Sequence, residues 1–118
     1  MRHKHCELEA WKEAIVLVKR TYQITGTFPA SELYGLSSQM RQAATSIPCN
    51  IAEGAARSTK KQLIQFLYVA RGSLSELETQ FIIAKELGYL KDSEAMGEQI
   101  EKVFALLSGL IRSLNGGK

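Results

Sequence analysis

Hydrophobic side chains recur at three- and four-residue steps along nearly the whole chain, and nowhere do they alternate as in a half-buried strand. Leu8, Trp11, Ile15, Val18 and Tyr22 mark one stripe, widened by Ala14 and Leu17, and predict a helix over about 7–24. Thr25, Gly26, Thr27, Phe28 and Pro29 end it, leaving 30–35 as a connector with room for a short helical turn. Met40, Ala43, Ala44, Ile47 and Ile51 share the next face and predict a helix over about 36–54. Pro48 interrupts that face: it has no N–H for the carbonyl of Ala44 and biases Ile47 away from helical dihedrals, a cost of about 3 kcal/mol in a helix interior. The stripe keeps its phase across the proline, which predicts one kinked helix; a helix stopping at Ile47 is the alternative.

A third helix is predicted over about 59–88, capped by Ser58 or Thr59 and marked by Leu63, Phe66, Leu67, Ala70, Leu74, Leu77, Phe81, Ala84 and Leu87. Gly72 inside it costs about 1 kcal/mol relative to alanine, and is expected to mark the close approach of a neighbour. Gly88 to Lys91 ends this helix, and Asp92 or Ser93 caps a fourth over about 93–114, which follows Ile100, Val103, Phe104, Leu107, Leu110, Ile111 and Leu114. Long amphipathic helices joined by short connections predict an all-α, antiparallel up-down-up-down four-helix bundle, one domain over 1–118.

With 118 residues, 45% hydrophobic and 23% charged, the chain can build one core and is too short for two domains. No apolar run approaches the roughly 20 residues of a bilayer span, and the charged start MRHKHCELEAWKE lacks the apolar centre of a signal peptide. A cytoplasmic protein is the expectation. In that reducing compartment Cys6 and Cys49 read as free thiols. Enzyme signatures are absent: there is no phosphate-cradling glycine loop, no HExxH, no CxxC and no Glu-x-x-His pair. His3, His5 and Cys6 are too few donors, on a chain end, to predict a metal site, and Cys49 has no histidine near it in sequence to activate it. Neither cofactor nor catalysis is expected.

The run SIPCNIAEGAAR, followed by VARGSLSELETQ and LGYL and preceded by ELEAWKEA, TGTFP and LYGLSSQMRQAA, resembles the four-helix bundle family named after proteins encoded within intervening sequences of bacterial 23S rRNA genes. The resemblance covers nearly the whole chain. It implies a ring-shaped homopentamer, a relation to the nucleic-acid-binding accessory proteins of diversity-generating retroelements, and no established enzymatic activity. Two positions depart from the pattern: Gln42 stands where a second basic residue is frequent, and Cys49 where a small residue is usual.

The net charge of +3 is modest, but its distribution is uneven. From Lys19 to Arg71 the basic residues Lys19, Arg20, Arg41, Arg57, Lys60, Lys61 and Arg71 stand against only Glu32 and Glu53, whereas 76–101 is rich in glutamate. Such asymmetry either makes a basic surface or lets one helix neutralise another. Lys19, Arg20, Arg41, Arg57, Lys60 and Lys61 are the candidate nucleic-acid contacts, directed at RNA or DNA phosphates because no base-stacking aromatic motif accompanies them. Asn50, Glu53, Arg57, Arg71, Ser73 and Glu76, which match the family motif, are expected to form a structural polar network tying helix two to helix three or one subunit to the next; a ligand site is the alternative. Tyr34, Leu36, Ile64, Tyr68, Ile82 and Ile83 fall partly off the main stripes, more apolar surface than one small bundle buries, which favours a homo-oligomer. Two functions remain open at this level: an RNA-associated accessory protein acting through its basic surface, and an oligomeric scaffold for a protein partner.

Overall fold

A computed structural model describes His5, residues 8–91 and residues 93–116. Among these, the chain forms four α-helices, α1 (Glu9–Thr25), α2 (Leu36–Ala55), α3 (Lys60–Glu86) and α4 (Glu94–Leu114), with a 3-10 turn at Ala30–Glu32 and no strand. The expected start of helix one at Glu7, the Asp92 cap, and His3 and Cys6 lie outside the described residues. Each helix packs on two others: α1 on α2 and α4, and α3 on α2 and α4.

The core draws on all four helices, with Leu17, Met40, Ile47, Ile51, Leu67, Leu74, Leu77, Ile100, Val103 and Leu107 fully buried. Each such large side chain contributes about 1.5–3 kcal/mol through removal from water. α2 runs unbroken through Pro48, which is itself buried with Met40, Ala43, Ala44, Ile47 and Ile51. The buried stripe therefore outweighs the lost backbone bond. α3 begins as a capped helix should: Thr59 Oγ1 accepts the Gln62 N–H at 3.1 Å.

Three expectations fail. In α1 the buried face is Ala10, Ala14, Leu17, Thr21 and Thr25, while Ile15 and Tyr22 are exposed. The largest apolar residues misled the phase because small ones admit the neighbouring helices most closely. Thr21 and Thr25 also pass as core residues, since their hydroxyls donate to the carbonyls of Leu17 (2.8 Å) and Thr21 (2.7 Å) and leave only methyl groups to pack. Leu87, assigned to the core stripe, lies beyond the end of α3 and is exposed. Gly72 marks no close approach, since a Cβ there would meet no atom within 4 Å. The tight crossing is at Gly54, where a Cβ would lie 2.8 Å from Phe66 Cβ and 3.2 Å from the Leu63 carbonyl oxygen. Gly54 thus lets α2 and α3 touch near the turn that joins them.

At the far end of α2 a carboxylate organises the connector. Glu32 Oε1 accepts the Leu36 N–H at 3.1 Å, capping the start of α2, and Oε2 accepts the Tyr89 hydroxyl at 2.8 Å. The Tyr89 ring packs on Phe28 with centroids 5.3 Å apart. Gly35 leaves room for this, because a Cβ there would stand 2.9 Å from Glu32 Oε1. The connector between α1 and α2 is thereby tied to the connector between α3 and α4.

Candidate nucleic-acid interface

The six cations expected to share one surface divide between the two ends of α2. Arg41 and the end of that helix at Ala55 are fourteen residues apart, which at 1.5 Å per residue is about 21 Å, and Arg57 follows just beyond that end. Arg41 sits by the end of α1, its Nε donating to Thr25 Oγ1 at 2.8 Å and its guanidinium 4.7 Å over the Tyr22 ring. Lys19 is exposed on α1, and Arg20 beside it is half-buried with its Nε enclosed and unbonded. Arg20 also lies near the Glu13 carboxylate, which accepts Gln99 Nε2 at 2.9 Å and pairs with Lys102 at 3.5 Å, tying α1 to α4.

Arg57, Lys60 and Lys61 come together at the turn from α2 into α3. A cleft of about 290 Å³ there is lined by Arg57, Ser58, Thr59 and Lys60, with Leu8, Leu63 and Leu114 behind them. A neighbouring cleft of about 350 Å³ is lined by Lys60, Lys61, Ile64, Gln65, Tyr68 and Asn115. Arg57 stands 4.9 Å over the Phe66 ring and pairs with Glu53 at 3.6 Å, both side chains being about half exposed. Such an exposed pair is worth only about 0.3–0.5 kcal/mol and leaves the arginine available to a stronger anion. Lys60 and Lys61 form no ion pair among the described residues. They also occupy the first turn of α3, where unpaired N–H groups and the helix dipole favour a phosphate.

Tyr68, which in the sequence counts only as surplus apolar surface, joins these cations. It is 47% exposed, lines the lysine cleft, and carries the Arg71 guanidinium 5.0 Å from its ring centroid. The clue was its spacing: Tyr68 lies two turns after Lys60 and Lys61 and so returns to the same flank of the helix. An exposed aromatic ring bordered by cations offers an unpaired base a stacking surface beside a phosphate site.

The expected polar network separates into three pieces. Ser46 Oγ and Ser73 Oγ meet at 2.8 Å, and Asn50 Nδ2 donates to Ser46 Oγ at 2.9 Å and to the Ser46 carbonyl at 2.8 Å; this chain joins α2 to α3. Glu53 forms an ion pair with Arg57, whose guanidinium also lies over the Phe66 ring of α3. Arg71 points the other way, with Nη1 donating to Ser108 Oγ on α4 at 3.2 Å. Residues two apart on a helix are separated by about 200°, so Arg71 and Ser73 sit on opposite flanks of α3. Glu76 is exposed on the α2–α3 seam, lining a small polar cleft with Gln39, Gln42, Ser46, Ser73 and Gln80. The buried Oε1 of Gln80 has no hydrogen-bond partner there.

No group of three or more metal-ligating side chains occurs among the described residues, and Cys49 is a free, exposed thiol. No helix among them is long and apolar enough to cross a membrane. A comparison with curated proteins returns no match. A family-level comparison matches residues 6–109 to the 23S rRNA-intervening sequence protein family, which takes in all but the last turn and a half of the four helices just described. The chain belongs to that 23S rRNA-intervening sequence protein family.

Proposed function

We propose that the protein is a non-enzymatic, cytoplasmic accessory protein that binds RNA through Arg57, Lys60, Lys61 and Tyr68 at the start of α3. The observation that carries this reading is the convergence of three cations, a helix N-terminus and an exposed aromatic ring on two adjoining clefts. Phosphates would sit on the lysines and arginine, with Tyr68 stacking an unpaired base, so binding tolerates many sequences and weakens with salt. The family's name, which points to intervening sequences of 23S rRNA, supports RNA as the polymer. The likeness to retroelement accessory proteins extends this to a ring, proposed as a pentamer of antiparallel bundles, in which the clefts are repeated around an axis and bind with avidity.

A second reading, a scaffold for a protein partner, draws on the exposed apolar side chains Tyr34, Val69, Ile82 and Ile83. RNA retention at two ionic strengths separates them. The RNA reading predicts a log–log salt slope with about −0.7 to −0.9 for each phosphate contact, whereas a scaffold shows no salt-sensitive retention of any RNA.

A further inference from the structure

The outer surface of the bundle carries two clefts of opposite character. Because α1 packs on α2 and α4, and α3 on the same two helices, the α1–α2 seam and the α3–α4 seam lie on opposite sides. The α3–α4 cleft, about 690 Å³, is floored by Phe81, Ile82 and Ile100 and walled by Glu78, Glu94, Glu98 and Glu101 against Lys85 alone. Four carboxylates thus face one ammonium, which lies 5.5 Å over the Phe81 ring. None of these glutamates forms an ion pair among the described residues. Ile82 is 53% exposed in the midst of them.

The α1–α2 cleft, about 450 Å³, is lined by Tyr22, Leu33, Tyr34, Ser38, Arg41, Gln42 and Thr45 and has no carboxylate in its walls. Tyr34 stands out of it with 93% of its surface exposed. Its phenol can donate to a carboxylate while its ring covers apolar surface. Among the described residues Arg41 donates a hydrogen bond only from Nε, to Thr25, while its guanidinium lies over the Tyr22 ring, so its terminal N–H groups remain for a carboxylate. The two clefts also stand at the same height. Leu33 and Tyr34 follow Glu32, Lys85 and Ser93 flank Tyr89, and Glu32 and Tyr89 are hydrogen-bonded to each other.

We infer that the α3–α4 cleft of one copy receives the Tyr34–Arg41 face of a second copy, the phenol and guanidinium meeting the glutamate wall and the ring covering Ile82. This rests on the oligomeric reading above and names the surfaces that make it. A contact between unlike faces leaves each copy with one of each still open and so propagates. Clefts at one height place successive copies side by side around an axis and not end to end. The lysine cleft lies twenty-one residues up α3 from Ile82, about 32 Å at helical rise, and so is separate from this contact.

Mass measurement by light scattering and native mass spectrometry at micromolar concentration tests the inference with exposed positions that leave the core alone. Tyr34→Glu brings a carboxylate to the glutamate wall and is expected to reduce the wild-type oligomer to monomer with unchanged helical circular dichroism. The pair Glu98→Lys and Glu101→Lys, added to Tyr34→Glu, is expected to restore the oligomer by complementary charge. A wild-type monomer overturns the oligomeric reading and the inference with it. A wild-type oligomer that survives Tyr34→Glu, or that the added lysines fail to rescue, overturns the inference alone.

Discussion

At one end of the bundle Glu32 reaches from the α1–α2 connector to Leu36 and Tyr89, so the end is closed by directional bonds between connectors. At the other end Gly54 brings the backbones of α2 and α3 together against Phe66 and Leu63, and the contact is steric. The charges differ as well. Glutamates wall the cleft nearest the Glu32 end, whereas Arg57, Lys60 and Lys61 gather beside Gly54. The short, tightly packed turn holds its cations at a helix N-terminus, an arrangement that favours an anion. Under the two proposals above, the packed end serves nucleic acid and the bonded end assembly.

The largest effect expected from breaking this contrast is at Gly54. Gly54→Ala places a methyl group against Phe66 Cβ and the Leu63 carbonyl, neither of which is the free end of a flexible chain. Overpacking of this kind costs about 1–3 kcal/mol and outweighs the roughly 1 kcal/mol that alanine gains in helix propensity. Denaturant unfolding should show a lower midpoint, while Gly72→Ala, in open space, should raise it. A Gly54→Ala protein as stable as wild type would remove the steric account of that end.

At the bonded end the expected effect is pH-dependent. The Leu36 N–H first, and then the Tyr89 hydroxyl, hold the Glu32 carboxyl below its ordinary value of 4.5. Hydrogen bonding to Gln99 does the same for Glu13 on α1. A carboxyl whose pKa is lower in the folded chain stabilises the fold above the unfolded value and loses that contribution as pH falls through the folded one. Thermal unfolding should therefore shift downward as pH drops below about 4.5, and Glu32→Gln should flatten that acid limb. The Glu32 carboxylate likewise raises the Tyr89 phenol above 10.0, so its contribution is present below that value and lost as pH rises through the raised one. Tyr89→Phe should lower the midpoint at neutral pH and abolish this alkaline loss. An acid limb identical in wild type and Glu32→Gln would show that the clasp does not hold.

The smallest effect is at the middle of the α2–α3 seam. Ser73→Ala removes the hydroxyl partner of Ser46, a loss of about 0.5–1.5 kcal/mol. A double-mutant cycle with Ser46→Ala should show coupling, because the bond is shared. Additive losses would mean that the two hydroxyls act separately.

The helices were legible in the sequence because their apolar stripes are long and regular, and even Pro48 could not obscure the phase of α2. The face of α1 was legible only in part: Ala14 and Leu17 are buried and Leu8, Trp11 and Val18 pack on the core, but burial took in Thr21 and Thr25 and left Ile15 and Tyr22 exposed. Spacing within a helix reveals which residues share a flank, but not which neighbour that flank meets. Hence Arg71 and Ser73, two residues apart, were joined in one network, although they bond to different helices. The Glu32–Tyr89 clasp was hidden for the same reason. LGYL lies far along the chain from TGTFP and LYGL, and only the fold shows that Phe28 packs on Tyr89 and that Gly35 makes room for Glu32. For the cations, charge alone put all six forward together; the fold gathers Arg57, Lys60 and Lys61, while Lys19, Arg20 and Arg41 lie elsewhere.

That division supplies the most direct test of the central claim, that the packed end binds nucleic acid. Binding of a labelled single-stranded RNA is measured across a series of salt concentrations for wild type, for Lys60→Glu with Lys61→Glu, and for Lys19→Glu as an equally exposed cation on α1. The account predicts that the α3 double variant binds many sequences more weakly and with a shallower salt slope, while Lys19→Glu retains both affinity and slope. Equal losses from both variants, or no salt-sensitive binding by the wild-type protein, would contradict it.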